Sequence, residues 1–252
     1  MRGVILAGGL GTRLYPLTHA TNKHLLPVFD QPMVYYPIQT LVRAGIKNIM
    51  VVTGGPHAGD FIRVLQNGDD FGIDHLEYAY QENGEGGIAD ALRLCEDFAD
   101  GGGITVILGD NCTDANISKE IKNFKEGALV FLKEVPDPKR FGVPVFDKDG
   151  KEIIKIEEKP KDPKSNYAVT GLYVYDNKVF SYIKKIKPSK RGQFEITDVN
   201  NLYLKAGKLS WSVLSGFWSD AGTPESLYRT GVYWARKILG KREDKLSTFD
   251  GS

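Results

Sequence analysis

Short apolar runs alternate with helix-like stretches through the first half of the chain, and this alternation limits the possible folds more than any other feature. The runs at 3–7 and 48–53 flank a helix expected to open at Pro32 and close at Gly45. The same pattern continues as a helix near 59–66, a strand at 76–80, a helix at 88–98 and a strand at 104–108. It predicts an α/β, Rossmann-like, mostly parallel sheet with helices on both faces. Ligands of such sheets bind beyond the carboxyl ends of the strands.

The pattern changes after Ala128, where strands become more frequent. The stretches at 141–146, 153–157 and 168–175 are typical of strands, and 147–150 is a turn between the first two. Later elements are expected as helices at 178–186, 195–206 and 224–239, and strands at 209–214 and around Trp218. We expect a mixed, β-rich extension that forms a second wall over the first half. The domain would span 1–240, with halves at 1–127 and 128–240, followed by a polar tail at 241–252 that is frayed.

Charge and hydropathy exclude several classes of protein. Thirty-three basic and 32 acidic residues give a net charge of +1, so no global field attracts nucleic acid or an anionic membrane. No apolar stretch approaches the roughly 20 residues of a membrane span, and 1–7 is too short for a signal sequence. We expect a cytoplasmic protein. Cys95, Cys112 and the four histidines lack the spacing of a structural zinc site or a disulfide framework.

A glycine-rich loop follows the first strand directly, with the sequence Gly8-Gly9-Leu10-Gly11-Thr12-Arg13. Small residues let backbone N–H groups approach an anion, and the guanidinium of Arg13 is a forked donor for phosphate oxygens. The loop is not a P-loop, since no Gly-Lys-Ser/Thr follows, and Leu14 replaces the last glycine of the dinucleotide fingerprint. The second strand also lacks the terminal acidic residue that would bind a ribose, which disfavours a dehydrogenase. A plain tight turn remains the alternative.

Two carboxylates follow apolar runs that are far apart in the sequence. Asp110 ends the buried strand at 104–108, and Asp220 follows the run around Trp218. If the fold brings them together, they could hold Mg²⁺, which prefers one or two carboxylates plus phosphate oxygens and water. Each aspartate alone also fits a turn or a helix cap. Cys112 has no histidine partner that would activate it, so we interpret it as a packed residue.

Together these segments resemble the short form of the glucose-1-phosphate thymidylyltransferase family of sugar nucleotidyltransferases. The resemblance extends in order over nearly the whole chain, through segments 8–14, 23–27, 32–37, 108–111, 158–160, 165–173, 195–198 and 220–223. It implies the nucleotide-diphospho-sugar transferase fold and an enzyme that uses Mg²⁺. It also implies the reaction, which is transfer of a nucleotidyl group, dTMP from dTTP being favoured, to a sugar 1-phosphate such as glucose 1-phosphate, with release of pyrophosphate. The product would serve polysaccharide synthesis.

The resemblance also assigns roles to individual residues. It implies a nucleotide-binding half at 1–127 and a sugar-phosphate-binding half at 128–240. The expected catalytic residues are Arg13, Lys23, Asp110, Lys159 and Asp220, with Asp110 and Asp220 sharing Mg²⁺. The expected nucleotide-binding residues are Leu6, Gly8, Gly9, Gly11, Thr12, Arg13, Lys23, His24, Gln81, Gly87 and Asp110. The expected sugar-phosphate-binding residues are Asn111, Gly142, Glu158, Lys159, Val169, Tyr173 and Glu195.

Some features leave alternatives open. Segment 81–89 is one residue longer than in the family between Gln81 and the Gly87 step, so uridylyl or cytidylyl transfer to a related sugar phosphate remains a rival. A nucleotide-sugar sensor that binds without releasing pyrophosphate is a second rival. A glycosyltransferase would usually carry Asp-x-Asp, which segment 110–112 does not supply. The chain is shorter than long-form enzymes in the C-terminal region that they use for allosteric control. Aromatic residues at 35–36, 228 and 233–234 suit either a homo-oligomer interface or a core.

Overall fold

The structure is a computed structural model that describes residues 1–247. Its strands are β1 (Arg2–Ala7), β2 (Pro27–Val28), β3 (Gln31–Pro32), β4 (Asn48–Gly54), β5 (His75–Gln81), β6 (Ile104–Leu108), β7 (Asn111–Thr113), β8 (Ala128–Glu134), β9 (Gly142–Phe146), β10 (Ile153–Glu158), β11 (Tyr167–Tyr175), β12 (Leu209–Val213) and β13 (Trp218–Asp220). Its α-helices are α1 (Tyr35–Arg43), α2 (Ala58–Leu65), α3 (Ile88–Arg93), α4 (Glu96–Ala99), α5 (Ser118–Asn123), α6 (Lys178–Ile183), α7 (Ile196–Lys205) and α8 (Pro224–Ser247). Short 3-10 turns cover Thr12–Leu14, Leu17–His19, Lys23–Leu25, Asp69–Phe71 and Pro138–Arg140.

One mixed sheet joins both halves of the chain. Its centre is parallel, in the order β6, β1, β4, β5. The strand β11 then pairs antiparallel with β6, and it also pairs with β8 and β9. Since β12 joins β8 and β10 joins β9, the second half extends the sheet on the far side of β6. The α/β fold with a parallel central sheet is therefore confirmed.

The side chains of β1 are buried on both faces of the sheet, because helices cover both faces. Val4 and Leu6 point to one face and pack in a cluster with Leu92 of α3. Ile5 points to the other face and packs in a cluster with Phe61 of α2. Each buried side chain of this size contributes roughly 1.5–3 kcal/mol. The sheet is thus anchored by two layers of core, and its strand ends are held in fixed positions.

Several predicted helices have different limits in the structure, and the one expected at 178–186 ends at Ile183. The helix expected to open at Pro32 begins at Tyr35, because Pro32 is engaged in the β2–β3 pair opposite Pro27. The single helix expected at 88–98 is two short helices, α3 and α4. The N–H groups of Leu94 and Cys95 bond back to carbonyls only three residues earlier, which ends the first helix.

Several elements had no prediction. The strand β8 was not foreseen, although it contributes Val130 and Leu132 to the core. The small β7–β13 and β2–β3 sheets and the helix α5 were also missed. The helix α8 was expected to end at 239 and continues to Ser247, into the tail expected to be frayed. Residues 248–252 of that tail lie outside the described residues.

The aromatic residues at 35–36, 228 and 233–234 are divided between the core and the surface, and none of the helices is a membrane span in the described part of the chain. No helix within the described part of the chain is long and apolar enough to cross a bilayer. Tyr36 and Trp234 are core residues, with ring centroids 4.7 Å apart. Tyr35 and Tyr233 are half-buried, whereas Tyr228 is 73% exposed.

Candidate active site

A cleft of about 330 Å³ lies at the carboxyl ends of β1, β5 and β6, which form one wall. Strands β9, β10 and β11 and the start of α7 form the opposite wall. Most of the predicted site residues line it, namely Leu6, Gly8, Gly9, Arg13, Lys23, His24, Gln81, Gly87, Asp110, Asn111, Gly142, Glu158, Lys159, Val169, Tyr173, Glu195 and Asp220. Gly11 and Thr12 are not among the lining residues. The two predicted sets therefore face each other across one cavity.

The glycine loop leaves β1 and turns along the edge of the cleft. Gly8 is the tightest position, since an added Cβ would lie 2.5 Å from Oε1 of Gln81. Gly11 has φ of +69° and precedes the 3-10 turn Thr12–Leu14, which directs Thr12 toward solvent. The hydroxyl of Thr18 donates to the Gly11 carbonyl at 2.9 Å. The loop thus brings Gly8, Gly9 and Arg13 to the cleft, and it turns Gly11 and Thr12 away from it.

Lys23 and Asp110 form a nearly buried ion pair at one end of the cleft. Lys23 Nζ lies 2.5 Å from Asp110 Oδ2, and the Asn111 amide donates to Asp110 Oδ1 at 3.0 Å. Burial acts to raise the pKa of Asp110, but the charge of Lys23 and these hydrogen bonds outweigh it and hold that pKa well below its usual range. Asp110 is therefore a carboxylate at neutral pH.

His24 lies beside this pair without adding a charge. Burial and the adjacent charge of Lys23 lower the pKa of His24 from 6.5 to about 3. Its Nδ1 lies 2.7 Å from Asn22 Oδ1, and the Asn22 side chain also accepts from the backbone N–H of His24. A neutral His24 can contact a ligand by hydrogen bonding but not by charge.

The small β7–β13 sheet brings the second carboxylate next to the first. Asp220 lies directly opposite Asn111, and the N–H of Ala221 donates to the Asp110 carbonyl at 2.8 Å. Burial and the charge of Asp110 raise the pKa of Asp220 from 3.8 to about 6. A guanidinium nitrogen of Arg140 lies 2.7 Å from Asp220 Oδ2. The sequence expectation that the fold brings these two aspartates together is met.

The chemistry of this carboxylate pair suits a divalent cation. Burial raises the pKa of Asp220, and repulsion between the two neighbouring carboxylates raises it further. A cation that also binds phosphate oxygens would relieve this repulsion, and Mg²⁺ needs only one or two protein carboxylates. No group of three or more His, Cys, Asp or Glu side chains that could hold a metal occurs among the described residues. Asp110 and Asp220 are thus a partial ligand set that suits Mg²⁺ with a phosphate ligand.

The opposite wall carries a network of charges around Glu158. Thr197 donates to Glu158 Oε2 at 2.6 Å, and Arg191 donates to Glu158 Oε1 at 3.1 Å and to Glu195 Oε1 at 2.9 Å. The ammonium group of Lys159 is 3.9 Å from Glu158 Oε1. These contacts hold four charged side chains, two acidic and two cationic, at this wall of the cleft.

Lys159 has an unusual backbone for a residue with a side chain. Its φ is +45°, in the left-handed region, and its N–H donates to the Phe141 carbonyl at 2.9 Å. Such a conformation costs on the order of 1–2 kcal/mol and is found at functional sites. Burial and the charge of Arg191 lower the pKa of Lys159 below its ordinary value. Lys159 thus lines the cleft, although its sequence context alone is typical of a charged hairpin.

Four polar residues that line the cleft were missed by sequence reasoning, namely Arg140, Arg191, Gln193 and Thr197. Arg140 pairs with Asp220, Arg191 bridges the two glutamates, and Thr197 holds Glu158. Arg140 and Arg191 lie in short polar connections outside every apolar pattern, so no periodicity marks them. Thr197 lies in segment 195–198, which carries part of the family resemblance, and this was the one signal for it in the sequence.

A model of the family described as nucleotidyl transferase matches residues 2–235. The chain belongs to the nucleotidyl transferase family. A glucose-1-phosphate thymidylyltransferase of Neisseria gonorrhoeae is 46% identical over 239 residues, which cover 92% of this nucleotidyltransferase and 82% of the relative. One of Mycolicibacterium smegmatis is also 46% identical, over 90% of this chain and 80% of its own. The resemblance predicted from the sequence motifs is confirmed, and so is the classification as an enzyme.

Solved structures agree with this nucleotidyltransferase fold. A crystal structure from Bacillus anthracis, described as a candidate glucose-1-phosphate thymidylyltransferase in complex with sucrose, is 52% identical with a TM-score of 0.86. It covers 92% of this chain and 94% of its own. A UDP-glucose pyrophosphorylase structure has a TM-score of 0.81 at 21% identity, so that similarity is one of fold alone.

Proposed function

We propose that this nucleotidyltransferase transfers dTMP from dTTP to glucose 1-phosphate, giving dTDP-glucose and pyrophosphate. The observation that carries the proposal is that Arg13, Lys23, Asp110, Asp220 and Lys159 all line one cleft. Such a site can hold two anionic substrates at once. The names of the relatives at 46% identity support the choice of both substrates.

Each half of the chain has its own substrate in this proposal. The half at 1–127 holds the nucleotide through the glycine loop, Lys23 and the base-facing Gln81. The half at 128–240 holds the sugar phosphate through Lys159, Glu158 and neighbouring residues. Both halves contribute strands to one sheet, so the two substrates meet at a fixed distance. We propose that 1–240 acts as one catalytic unit.

Asp110 and Asp220 are the residues that would hold Mg²⁺. When bound, the ion supplies positive charge to the phosphate oxygens of the nucleotide. Both aspartates already pair with cationic side chains, Lys23 and Arg140. These two cations are therefore well placed to turn toward substrate phosphates when the ligands arrive.

The proposed reaction is an in-line substitution at phosphorus. A phosphate oxygen of the sugar 1-phosphate attacks the α-phosphorus of the triphosphate, and the bond to the oxygen that bridges the α- and β-phosphorus atoms breaks. Pyrophosphate leaves with that electron pair. No general base is needed, because a phosphate monoester carries about −1.5 to −2 charge at pH 7.

The chain accelerates this step by offsetting charge and by fixing geometry. Lys159 orients the attacking phosphate, while Arg13 and Lys23 face the phosphates of the nucleotide. Positioning two reactants for in-line attack can contribute roughly 7–11 kcal/mol to lowering a barrier. The rigid strand ends beneath these side chains are the source of that positioning.

The test is pyrophosphate release with glucose 1-phosphate, Mg²⁺ and each of dTTP, UTP, CTP, ATP and GTP, with a metal-free control for each nucleotide. We expect the highest kcat/KM with dTTP and no release without metal. A higher value with UTP or CTP would favour the uridylyl or cytidylyl alternative. Nucleotide binding without pyrophosphate release, whichever sugar 1-phosphate is supplied, would favour the nucleotide-sugar sensor. The cytoplasmic location stays a prediction that cell fractionation tests. The oligomeric state stays a prediction that light scattering tests.

A further inference from the structure

The side-chain amide of Gln81 is held in one orientation by two acceptors. Its Nε2 donates to Asp90 Oδ2 at 2.9 Å and lies 3.5 Å from the Gly87 carbonyl oxygen. Gln81 is only 4% exposed, so this orientation is set by the protein rather than by water. The reversed amide would place its oxygen against the oxygens of Asp90 and Gly87, which cannot donate. The carboxylate of Asp90 therefore decides which end of the amide faces the cleft.

Asp90 is built for this contact and not for capping its helix. It lies in the first turn of α3, 8% exposed, yet no side chain caps that helix. Its other oxygen accepts from Arg93 Nε at 2.8 Å. Gly86 packs so closely on the carboxylate that an added Cβ would overlap Oδ2. Both oxygens of Asp90 thus accept from side-chain donors, and the absence of a side chain at Gly86 leaves room for the carboxylate.

The cleft consequently meets only the oxygen of the amide. Gln81 Oε1 lies beside Gly8, which lines the cleft, and no described residue donates a hydrogen bond to it. An oxygen at this position accepts a hydrogen bond and cannot donate one. The N3 atom of thymine and uracil carries a hydrogen, whereas N3 of cytosine is an acceptor. If N3 of cytosine faces Gln81 Oε1, neither acceptor has a donor. Leaving a buried polar group unsatisfied costs more binding free energy than a typical hydrogen bond contributes.

We propose that Asp90 is a positioning residue that fixes the Gln81 amide with its oxygen toward the base, so that the site selects pyrimidines with an N3–H over cytosine. The inference rests on the proposed function, since it assumes that the base lies at Gln81. It assigns the selectivity to a residue that does not itself touch the substrate. An amide free to rotate would accept either base, because its NH₂ group could donate to N3 of cytosine.

The test compares dUTP with dCTP, which differ only at N3 and the 4-position of the base. Wild-type enzyme is expected to favour dUTP in kcat/KM by at least about tenfold. In Asp90→Asn the amide at position 90 can donate, so Gln81 can reverse, and the dUTP to dCTP ratio should fall by about tenfold. The KM for glucose 1-phosphate should stay within about twofold. Asp97→Asn, an exposed carboxylate nearby, serves as the matched control and should leave the ratio unchanged.

A purely structural role of Asp90 predicts a different result. It would raise the KM for both nucleotides alike and leave their ratio at the wild-type value, which would overturn the proposal. If Asp90→Asn does not fold, Asp90→Ser is measured in the same way, because its hydroxyl also leaves the amide free to rotate. If wild-type enzyme releases no pyrophosphate with any nucleotide, the proposed function fails. The ratio of dUTP and dCTP dissociation constants, from calorimetry, then still tests the role of Asp90.

Discussion

Lys23 and Asp110 are 2.5 Å apart in the cleft, with side chains that are only 12% and 10% exposed. This contact connects the 3-10 turn Lys23–Leu25 to the segment that follows β6. A buried ion pair of this kind adds little net stability, but breaking it leaves an uncompensated charge. Its position next to Asp220 indicates a functional role, since both members can exchange their partner for a ligand.

Asp110→Asn should lower turnover on the order of a hundredfold, because it removes the charge proposed to hold the metal. The KM for Mg²⁺ should rise as well. Steady-state pyrophosphate release over a Mg²⁺ titration measures both quantities. Asp74→Asn is the control, since Asp74 is exposed and its ion pair with Lys47 is long at 3.7 Å. An unchanged rate in Asp110→Asn would contradict the assignment of the metal site.

Asp220→Asn should make the protein more stable at neutral pH while it loses activity. The folded-state pKa of Asp220 is about 6, above the ordinary 3.8. Protonation of Asp220 therefore stabilises the folded protein. This stabilisation is complete below pH 3.8 and is lost as the pH rises through 6. Removing the charge should recover about 1–2 kcal/mol at pH 7.5, or roughly 2–8 °C in Tm, and little at pH 4. Equal Tm values for variant and wild type at pH 7.5 would contradict the raised pKa.

Lys159→Ala should raise the KM for glucose 1-phosphate by about tenfold or more and change the KM for dTTP little, because a charged hydrogen bond to one substrate is lost. Lys155→Ala is the matched control on the same hairpin, where Lys155 is exposed and pairs with Glu157 at 2.7 Å. Substrate titrations of both variants separate the two KM values. Equal increases for both substrates would place Lys159 outside the sugar-phosphate subsite.

Gly8→Ala should raise the KM for dTTP by roughly tenfold or more, because the new methyl group would lie 2.5 Å from Gln81 Oε1 and displace it. Gly59→Ala provides the control, since an added Cβ in α2 meets nothing within 4 Å. That control should be more stable by about 0.5–1 kcal/mol, the usual effect of alanine in a helix. A dTTP KM in Gly8→Ala equal to wild type would show that the loop tolerates a side chain at this contact.

The sequence predicted the parts of the fold that depend on local pattern. The apolar run at 104–108 is a strand with the expected limits, and β1 and β4 differ from expectation by a residue at an end. Almost every residue of these strands is buried, because successive side chains point to opposite faces of the sheet and each face packs on a helical layer. The helix expected from Pro32 was wrong at its start, because pairing of Pro32 with Pro27 competes with helix formation and has no periodic signal.

The parts that were missed depend on contacts between distant segments. The pairing of Trp218–Asp220 with Asn111–Thr113 brings Asp220 next to Asp110, and no local pattern specifies it. The Arg140–Asp220 and Arg191–Glu195 ion pairs likewise require the folded cleft. The positions of Asp110 and Asp220 after apolar runs, together with the resemblance, predicted them as candidate metal ligands, but their pairing with Lys23 and Arg140 came only from the geometry.

The most direct test of the central claim is to follow dTTP labelled at the α-phosphorus in the presence of glucose 1-phosphate and Mg²⁺. The account predicts that the label moves into dTDP-glucose while unlabelled pyrophosphate appears in equal amount, and that omission of glucose 1-phosphate or of metal stops both. Release of the label as dTMP or dTDP, or retention of all label in dTTP by folded protein across related sugar 1-phosphates, would contradict it.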